Sequence, residues 1–240
     1  MERKIITTSD GSHSIAIPEM KVTYRSIHGA IQESLHVFID AGLGKCFRLV
    51  QRVGPLEINF QQAMPTEVAG PLHLLEMGFG TGLNALLTLI EADKLKHPVH
   101  YTALELFPLS KEEVQSLNYC EQLNKSHHQM VFEKLHQCEW GKDVCISPFF
   151  TLHKSNVGLP RYSTDQRFNL IYFDAFAPAS QPELWTKEVF EKLYSMMYPG
   201  GILVTYCSKG DVRRAMQAAG FGVEKIPGPR GKREMLRARK

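Results

Sequence analysis

From about Pro71 onward, short apolar runs alternate with stretches in which apolar residues recur every three or four positions. That alternation is the pattern of a parallel sheet wrapped by helices. Leu72-His-Leu-Leu-Glu-Met reads as the first strand, and Leu83, Leu86, Leu87 and Ile90 fall on one face of a helix running to about Asp93. Val99-His-Tyr-Thr-Ala-Leu follows as the second strand, and Ser110-Lys-Glu-Glu, with the spacing of a capping box, opens another helix. Phe149-Phe-Thr-Leu-His and Phe168-Asn-Leu-Ile-Tyr-Phe read as the third and fourth strands. A helix from about Pro182 to Met197 then stops at Pro199-Gly-Gly, and Ile202-Leu-Val-Thr-Tyr-Cys is the fifth strand. After a last helix, Asp211 to Ala219, the runs from Phe221 to Ile226 and from Glu234 to Ala238 predict a terminal antiparallel pair. The sum is a Rossmann-like α/β fold: a central, mostly parallel sheet with a C-terminal antiparallel strand.

The first fifty residues have another texture. Ile5-Ile-Thr-Thr, the turn Ser9-Asp-Gly-Ser and Ser14-Ile-Ala-Ile predict a hairpin, and His36-Val-Phe-Ile reads as one more short apolar run of β character. The expected division is a small N-terminal β-rich extension over residues 1–68 and the Rossmann-like domain over 69–240.

Composition changes this picture little. A chain of 240 residues, 43% hydrophobic and 22% charged, excludes disorder, collagen-like repeats and coiled coil. Its longest apolar stretch, near Leu83 to Ile90, is far short of a membrane span, and Met1-Glu-Arg-Lys lacks the apolar core of a signal peptide. A cytoplasmic protein without membrane contact is expected. Five cysteines form no C-x-x-C pair and read as reduced thiols. His127, His128, His136, Cys138 and Cys145 cluster in sequence but match no usual ligand spacing, so no metal is expected.

Charge is more informative. From Lys209 to Lys240 ten Lys and Arg face three acids, so this end carries +7 while the rest of the chain carries −4. A solvated basic tail would look like this, and so would a surface that orients a polyanion over one edge.

Candidate chemistry sits at strand ends. Glu76-Met-Gly78-Phe79-Gly80-Thr81-Gly82 occupies the first strand-to-helix turn, where glycines let a ligand approach the backbone. The third glycine comes one residue too early for a pyrophosphate turn, and the preceding acid would repel a pyrophosphate but suits a cationic methionine portion. Glu105, closing the second strand, stands where a carboxylate can accept hydrogen bonds from both ribose hydroxyls. The combination points to S-adenosylmethionine (AdoMet). Asp174-Ala-Phe176-Ala-Pro178 follows the fourth strand. Asp174 could orient an amine and accept its proton, with Phe176 walling the pocket; the plainer alternative is a turn residue beside a core aromatic.

Five segments occur in one order along the chain: Glu76-Met-Gly-Phe-Gly-Thr-Gly-Leu-Asn84, Glu105-Leu-Phe-Pro-Leu109, Phe173-Asp-Ala-Phe-Ala-Pro178 with Pro182 and Trp185, Ser208 with Val212-Arg-Arg214, and Gly231-Lys-Arg-Glu-Met235. Together they resemble the methyltransferase domain of the MnmC family. The resemblance implies methyl transfer from AdoMet to the primary amine of 5-aminomethyl-2-thiouridine at the tRNA wobble position. It implies Glu76, Gly78, Phe79, Gly80, Thr81, Gly82, Asn84 and Glu105 as the cofactor-binding set. The family fuses this domain to an FAD-dependent oxidase for which 240 residues leave no room. The chain is thus similar to stand-alone members, whose aminomethyl group separate upstream enzymes supply. An acid usually follows the third strand to meet adenine, whereas here Leu152-His-Lys-Ser-Asn156 leaves Ser155, Asn156 or backbone for that task. With a tRNA anticodon stem-loop as partner, Arg213, Arg214, Lys232 and Arg233 are expected near phosphates. Phe176 or Trp185 would wall in the extruded base, although Trp185 also suits the core. His28, Glu33 and His36 either close over the cofactor or simply pack.

Two other readings compete. An aminopropyltransferase of the spermidine synthase type would need Gly-Gly-Gly-Asp-Gly at the turn and a second Asp in the transfer motif, where this chain has Phe79, Thr81 and Ala177. A non-catalytic RNA-binding module would keep the fold without needing the turn or Asp174.

Overall fold

The computed structural model describes residues 2–51 and 70–240. Three short strands, β1 (Lys4–Thr7), β2 (His13–Ile17) and β3 (Val22–Thr23), form an antiparallel sheet whose hairpin turns at Thr8 to Ser12, where Asp10 accepts from the Ser12 backbone and from Thr8. The chain then runs through α1 (Ala30–Ser34), a π-helical stretch Leu35–Leu43 and α2 (Gly44–Gln51) without a break.

Among the described residues the main sheet has eight strands. β4 (Leu72–Met77) leads into α3 (Leu83–Leu95), and β5 (Val99–Leu104) leads into the short helices α4 (Lys111–Gln115) and α5 (Tyr119–Gln122) and then α6 (Gln129–Gln137). β6 (Asp143–Ser147), β7 (Phe150–Ser155) and β8 (Phe168–Phe173) follow, then α7 (Lys187–Ser195), β9 (Met197–Thr205), α8 (Gly210–Ala218), β10 (Gly222–Pro227) and β11 (Glu234–Arg239). The order is β10-β11-β9-β8-β4-β5-β7-β6. The five central strands are parallel and β6, β11 and β10 run against their neighbours, which is the Rossmann-like sheet with its antiparallel C-terminal end.

Alternate residues of the central strands face opposite sides. Leu74, Tyr101, Leu152, Tyr172 and Val204 build one core with α3, α6 and the N-terminal helical stretch; Leu75, Ile171, Phe173 and Leu203 build the other with α7 and α8. Val37, Phe38, Leu43 and Phe47 lie in the first of these cores. Gly42 permits the close approach: a Cβ there would come 3.0 Å from Val204 Cγ2 and 3.2 Å from Tyr172.

Several expectations need correcting. The run His36 to Ile39 is helical, because the buried residues in and around it, Ala30-Ile31, Ser34, Val37-Phe38 and Cys46-Phe47, keep a helical spacing over a longer window than the run itself. Asp143–Ser147 is an edge strand that the sequence reading left out, since its outward residues are polar and only Ile146 is buried. The helix expected from Pro182 divides into a 3₁₀ turn, Pro182–Leu184, and α7, which starts at the Thr186 cap. β9 already begins at Met197, before Pro199-Gly-Gly. The division expected at 68/69 lies outside the described residues. Among the described residues no helix is long and apolar enough to cross a membrane.

Candidate active site

The carboxyl ends of the neighbouring parallel strands β8, β4 and β5 lie side by side at one edge of the sheet, where open α/β sheets carry their ligands. The turn after β4 is shaped by Gly78, Gly80 and Gly82, with φ of 89°, 50° and 71°. These left-handed values suit glycine, and a Cβ at Gly82 would stand 2.6 Å from His136 Nε2. Gly82 caps α3, whose first-turn N–H groups point back toward the turn. His136 packs edge-on against Phe79 and Phe132, and burial pushes its imidazole down to about 4, so it meets the turn as a neutral ring. Thr81 is fully buried and its Oγ1 has no hydrogen-bond partner among the described residues.

Glu105 ties this turn to the second strand. Its Oε2 accepts from Gly80 N–H at 2.8 Å and its Oε1 from Phe107 N–H at 2.8 Å. A carboxylate offers about four acceptor sites, so these bonds fix its orientation and leave lone pairs for hydroxyls. Ser155 contributes its carbonyl to Glu105 N–H at 3.0 Å. Lys154 is buried, donates to the His136 carbonyl and lies 4.6 Å over the Trp140 ring, so it braces the end of α6.

The deepest group is Glu76, fully buried at the end of β4. Asn84 Nδ2 donates to Glu76 Oε1 at 2.8 Å and to Asp174 Oδ2 at 3.0 Å, so one amide bridges two carboxyl groups. Glu76 Oε2 and Asn84 Oδ1 have no partner among the described residues. Burial pushes the Glu76 carboxyl up to about 8, against the pull of Arg25 and with a further push from Asp174.

Asp174 directly follows β8 with its side chain 8% exposed, and it is paired with Arg25, whose side chain is 2% exposed. Sequence reasoning missed Arg25: Thr23-Tyr-Arg-Ser26 carries no periodicity or motif. The same loop brings Tyr24 edge-on to Phe176 at 5.3 Å and sets its ring over Gly80. Phe176 is half-buried; its carbonyl accepts from Trp185 Nε1 at 2.8 Å, and Trp185 itself packs in the core against Phe173 and Phe190. Tyr206 donates to the Ala175 carbonyl at 2.8 Å.

The basic residues scatter more widely. Lys232 pairs with buried Glu33 at 2.8 Å and lies 4.0 Å over the Tyr206 ring. Arg214 pairs with Asp211, Arg213 is half-buried, and Arg233 is exposed. His28 lies against Gly231, and His36 Nε2 sits 2.8 Å from the Pro227 carbonyl, so Glu33, His28 and His36 all join the N-terminal segment to the C-terminal end.

These residues fit AdoMet on the structure's own terms. Glu105 is preset for hydroxyls, the left-handed glycines bring the turn backbone to the N-terminus of α3, and the unpartnered oxygen of Glu76 suits an ammonium group.

Comparison with known proteins agrees. A family model described as S-adenosyl-L-methionine-dependent methyltransferase matches residues 121–240, half the chain. The bifunctional protein MnmC of Ectopseudomonas mendocina, named for tRNA 5-methylaminomethyl-2-thiouridine biosynthesis, is 32% identical over 226 residues, covering 89% of this chain and 31% of that protein. The chain thus spans about a third of the length of such relatives. The crystal structure of MnmC2 from Aquifex aeolicus superposes with a TM-score of 0.73 over 99% of this chain and 70% of that one, at 21% identity. Spermidine synthase from Thermotoga maritima shares the fold at a TM-score of 0.52, 98% and 67% coverage and 12% identity. The family model names the cofactor, and the chain belongs to the S-adenosyl-L-methionine-dependent methyltransferases.

Proposed function

We propose that the chain transfers a methyl group from AdoMet to the primary amine of 5-aminomethyl-(2-thio)uridine at the wobble position of tRNA, giving 5-methylaminomethyl-(2-thio)uridine. The observation that carries this reading is the pair of carboxyl groups, Glu76 and Asp174, bridged by Asn84 at the carboxyl edge of the sheet beside Phe176. The name of the Ectopseudomonas mendocina relative, which concerns this modified uridine, supports the substrate.

AdoMet, when bound, supplies an electrophilic methyl group. Glu76, Gly78, Phe79, Gly80, Thr81, Gly82, Asn84 and Glu105 would hold it. The acceptor must present a lone pair, so its amine has to arrive at the reaction uncharged. Both contacts of Asp174 go to Oδ2, which leaves Oδ1 to orient the amine and take up its proton. Phe176 and Tyr24 wall the pocket against water. Arg213, Arg214, Lys232 and Arg233 supply the positive field for the flanking phosphates of the anticodon stem-loop. Separate upstream enzymes provide the aminomethyl group, and the reaction belongs to the cytoplasm, where tRNA is matured. An aminopropyltransferase would want a second carboxylate at Ala177, and the pocket instead receives a guanidinium from Arg25.

The test is mass spectrometry of nucleosides from tRNA that carries the aminomethyl-thiouridine, incubated with the protein and AdoMet. A gain of one methyl on that nucleoside is expected. Bound tRNA with no methylated nucleoside would favour the non-catalytic RNA-binding module.

A further inference from the structure

We propose that Arg25 is a positioning residue for methyl transfer: its guanidinium fixes the Asp174 carboxylate in one orientation and supplies the counter-charge that keeps it a proton acceptor. This rests on the reading of Asp174 given above and adds a residue from outside the Rossmann-like domain.

Three observations carry it. First, the Arg25 side chain is not needed to place its own loop. Tyr24 N–H bonds to the Ile15 carbonyl at 2.8 Å, Arg25 N–H to Ser14 Oγ at 3.0 Å and Ser26 N–H to Glu33 Oε2 at 3.1 Å. The backbone is therefore held on both sides whatever the side chain does. Second, the guanidinium is buried at a cost that packing does not offset. It lies 6.0 Å from the Phe38 ring, and its Nε finds no partner among the described residues. A buried ion pair is a weak source of stability and a half-satisfied one is worse, so a structural role alone accounts poorly for it. Third, the pair bonds through Arg25 Nη1 to Asp174 Oδ2, the same oxygen that Asn84 holds, so the carboxylate is pinned from two sides with its other oxygen uncommitted.

The electrostatics follow. Asp174 faces Arg25 and Glu33 from the N-terminal segment, Glu76 from β4 and Tyr206 from the end of β9. Three of these are acids or a phenol, and only Arg25 is cationic. Burial pushes the Asp174 carboxyl up to about 6, Arg25 pulls it down and Glu33 pushes it further up. Without Arg25 the carboxyl would keep its proton toward neutral pH and could not accept one from the amine. The same positive charge disfavours the ammonium form of the acceptor, so both effects have one sign.

The experiment measures kcat for methylation of aminomethyl-thiouridine tRNA against pH in the wild type, Arg25→Met, Arg25→Gln and Arg25→Lys. AdoMet affinity by calorimetry runs alongside as a check on folding and on the cofactor site. The acidic limb should move up by about one pH unit or more in Met and Gln, kcat near neutrality should fall about tenfold, and Lys should restore the limb. Gln keeps a hydrogen-bond donor without charge, so either neutral variant is decisive if the other fails to fold. A wild-type limb in whichever neutral variant folds, or a displaced limb in Arg25→Lys, overturns the role of Arg25 alone. A wild type that adds no methyl at any pH overturns the functional reading itself, and the proposal with it.

Discussion

Glu76 shows what burial does to a single side chain. Its folded value of about 8 stands well above that of an exposed carboxyl, so at neutral pH it holds its proton until a cation arrives. Binding of the AdoMet ammonium should therefore release a proton. Calorimetry in buffers of different ionisation enthalpy should detect that release at pH 7 and lose it in Glu76→Gln; equal release in both would place the titrating group elsewhere. The stability of the free protein has a matching sign. A carboxyl raised on folding supports the fold below its unfolded value, and that contribution disappears as pH climbs toward 8, so Glu76→Gln should flatten the fall in stability across this window. Glu76, Glu105 and Asp174 were legible in the sequence because each closes an apolar run, and a strand end is a place that chemistry favours. Arg25 was not. Its loop has no period, and its partner lies 149 residues away, a pairing that only the folded sheet creates.

Among elements, the strand-turn-helix unit from β4 to α3 is the one most tightly specified. Gly82 and Gly141 both have φ of 71°, yet a Cβ at Gly82 meets His136 at 2.6 Å while one at Gly141 meets nothing within 4 Å. Gly141→Ala should thus cost only the left-handed strain, about 1–2 kcal/mol in urea unfolding. Gly82→Ala should cost about 1–3 kcal/mol more and weaken AdoMet binding, because the ring must shift against Phe79 and Phe132. Equal costs at the two positions would mean that His136 yields freely. The turn was readable because three glycines in five residues have few other uses. The N-terminal helix was misread because a four-residue apolar run, His36 to Ile39, fits a strand as well as a helix, and the spacing that decides between them extends from Ala30 to Phe47. The edge strand Asp143–Ser147 does alternate, but over five residues with only Ile146 buried, a signal too short and too weakly apolar to stand out.

At the scale of the whole molecule, the N-terminal segment is strapped across the transfer edge by Arg25 to Asp174, Tyr24 to Phe176 and Glu33 to Lys232. This gives the basic residues different tasks. Arg233 is exposed, whereas Lys232 is committed to Glu33 and the Tyr206 ring. Arg233→Ala should reduce the slope of log K against log salt for tRNA binding by about one, and Lys232→Ala by less. The reverse order would place the phosphate path along the strap instead. The excess of positive charge at the C-terminal end was plain in the sequence, but that Lys232 is already paired depended on Glu33, a contact across 199 residues. The decisive measurement on the molecule is nucleoside mass spectrometry of aminomethyl-thiouridine tRNA incubated with AdoMet and either the wild type or Asp174→Asn, with AdoMet affinity measured in parallel. The wild type should add one methyl group, and Asp174→Asn should be slower by about 10²-fold or more with AdoMet affinity little changed. Undiminished transfer by Asp174→Asn, or no transfer by the wild type, would contradict the role assigned to this crevice.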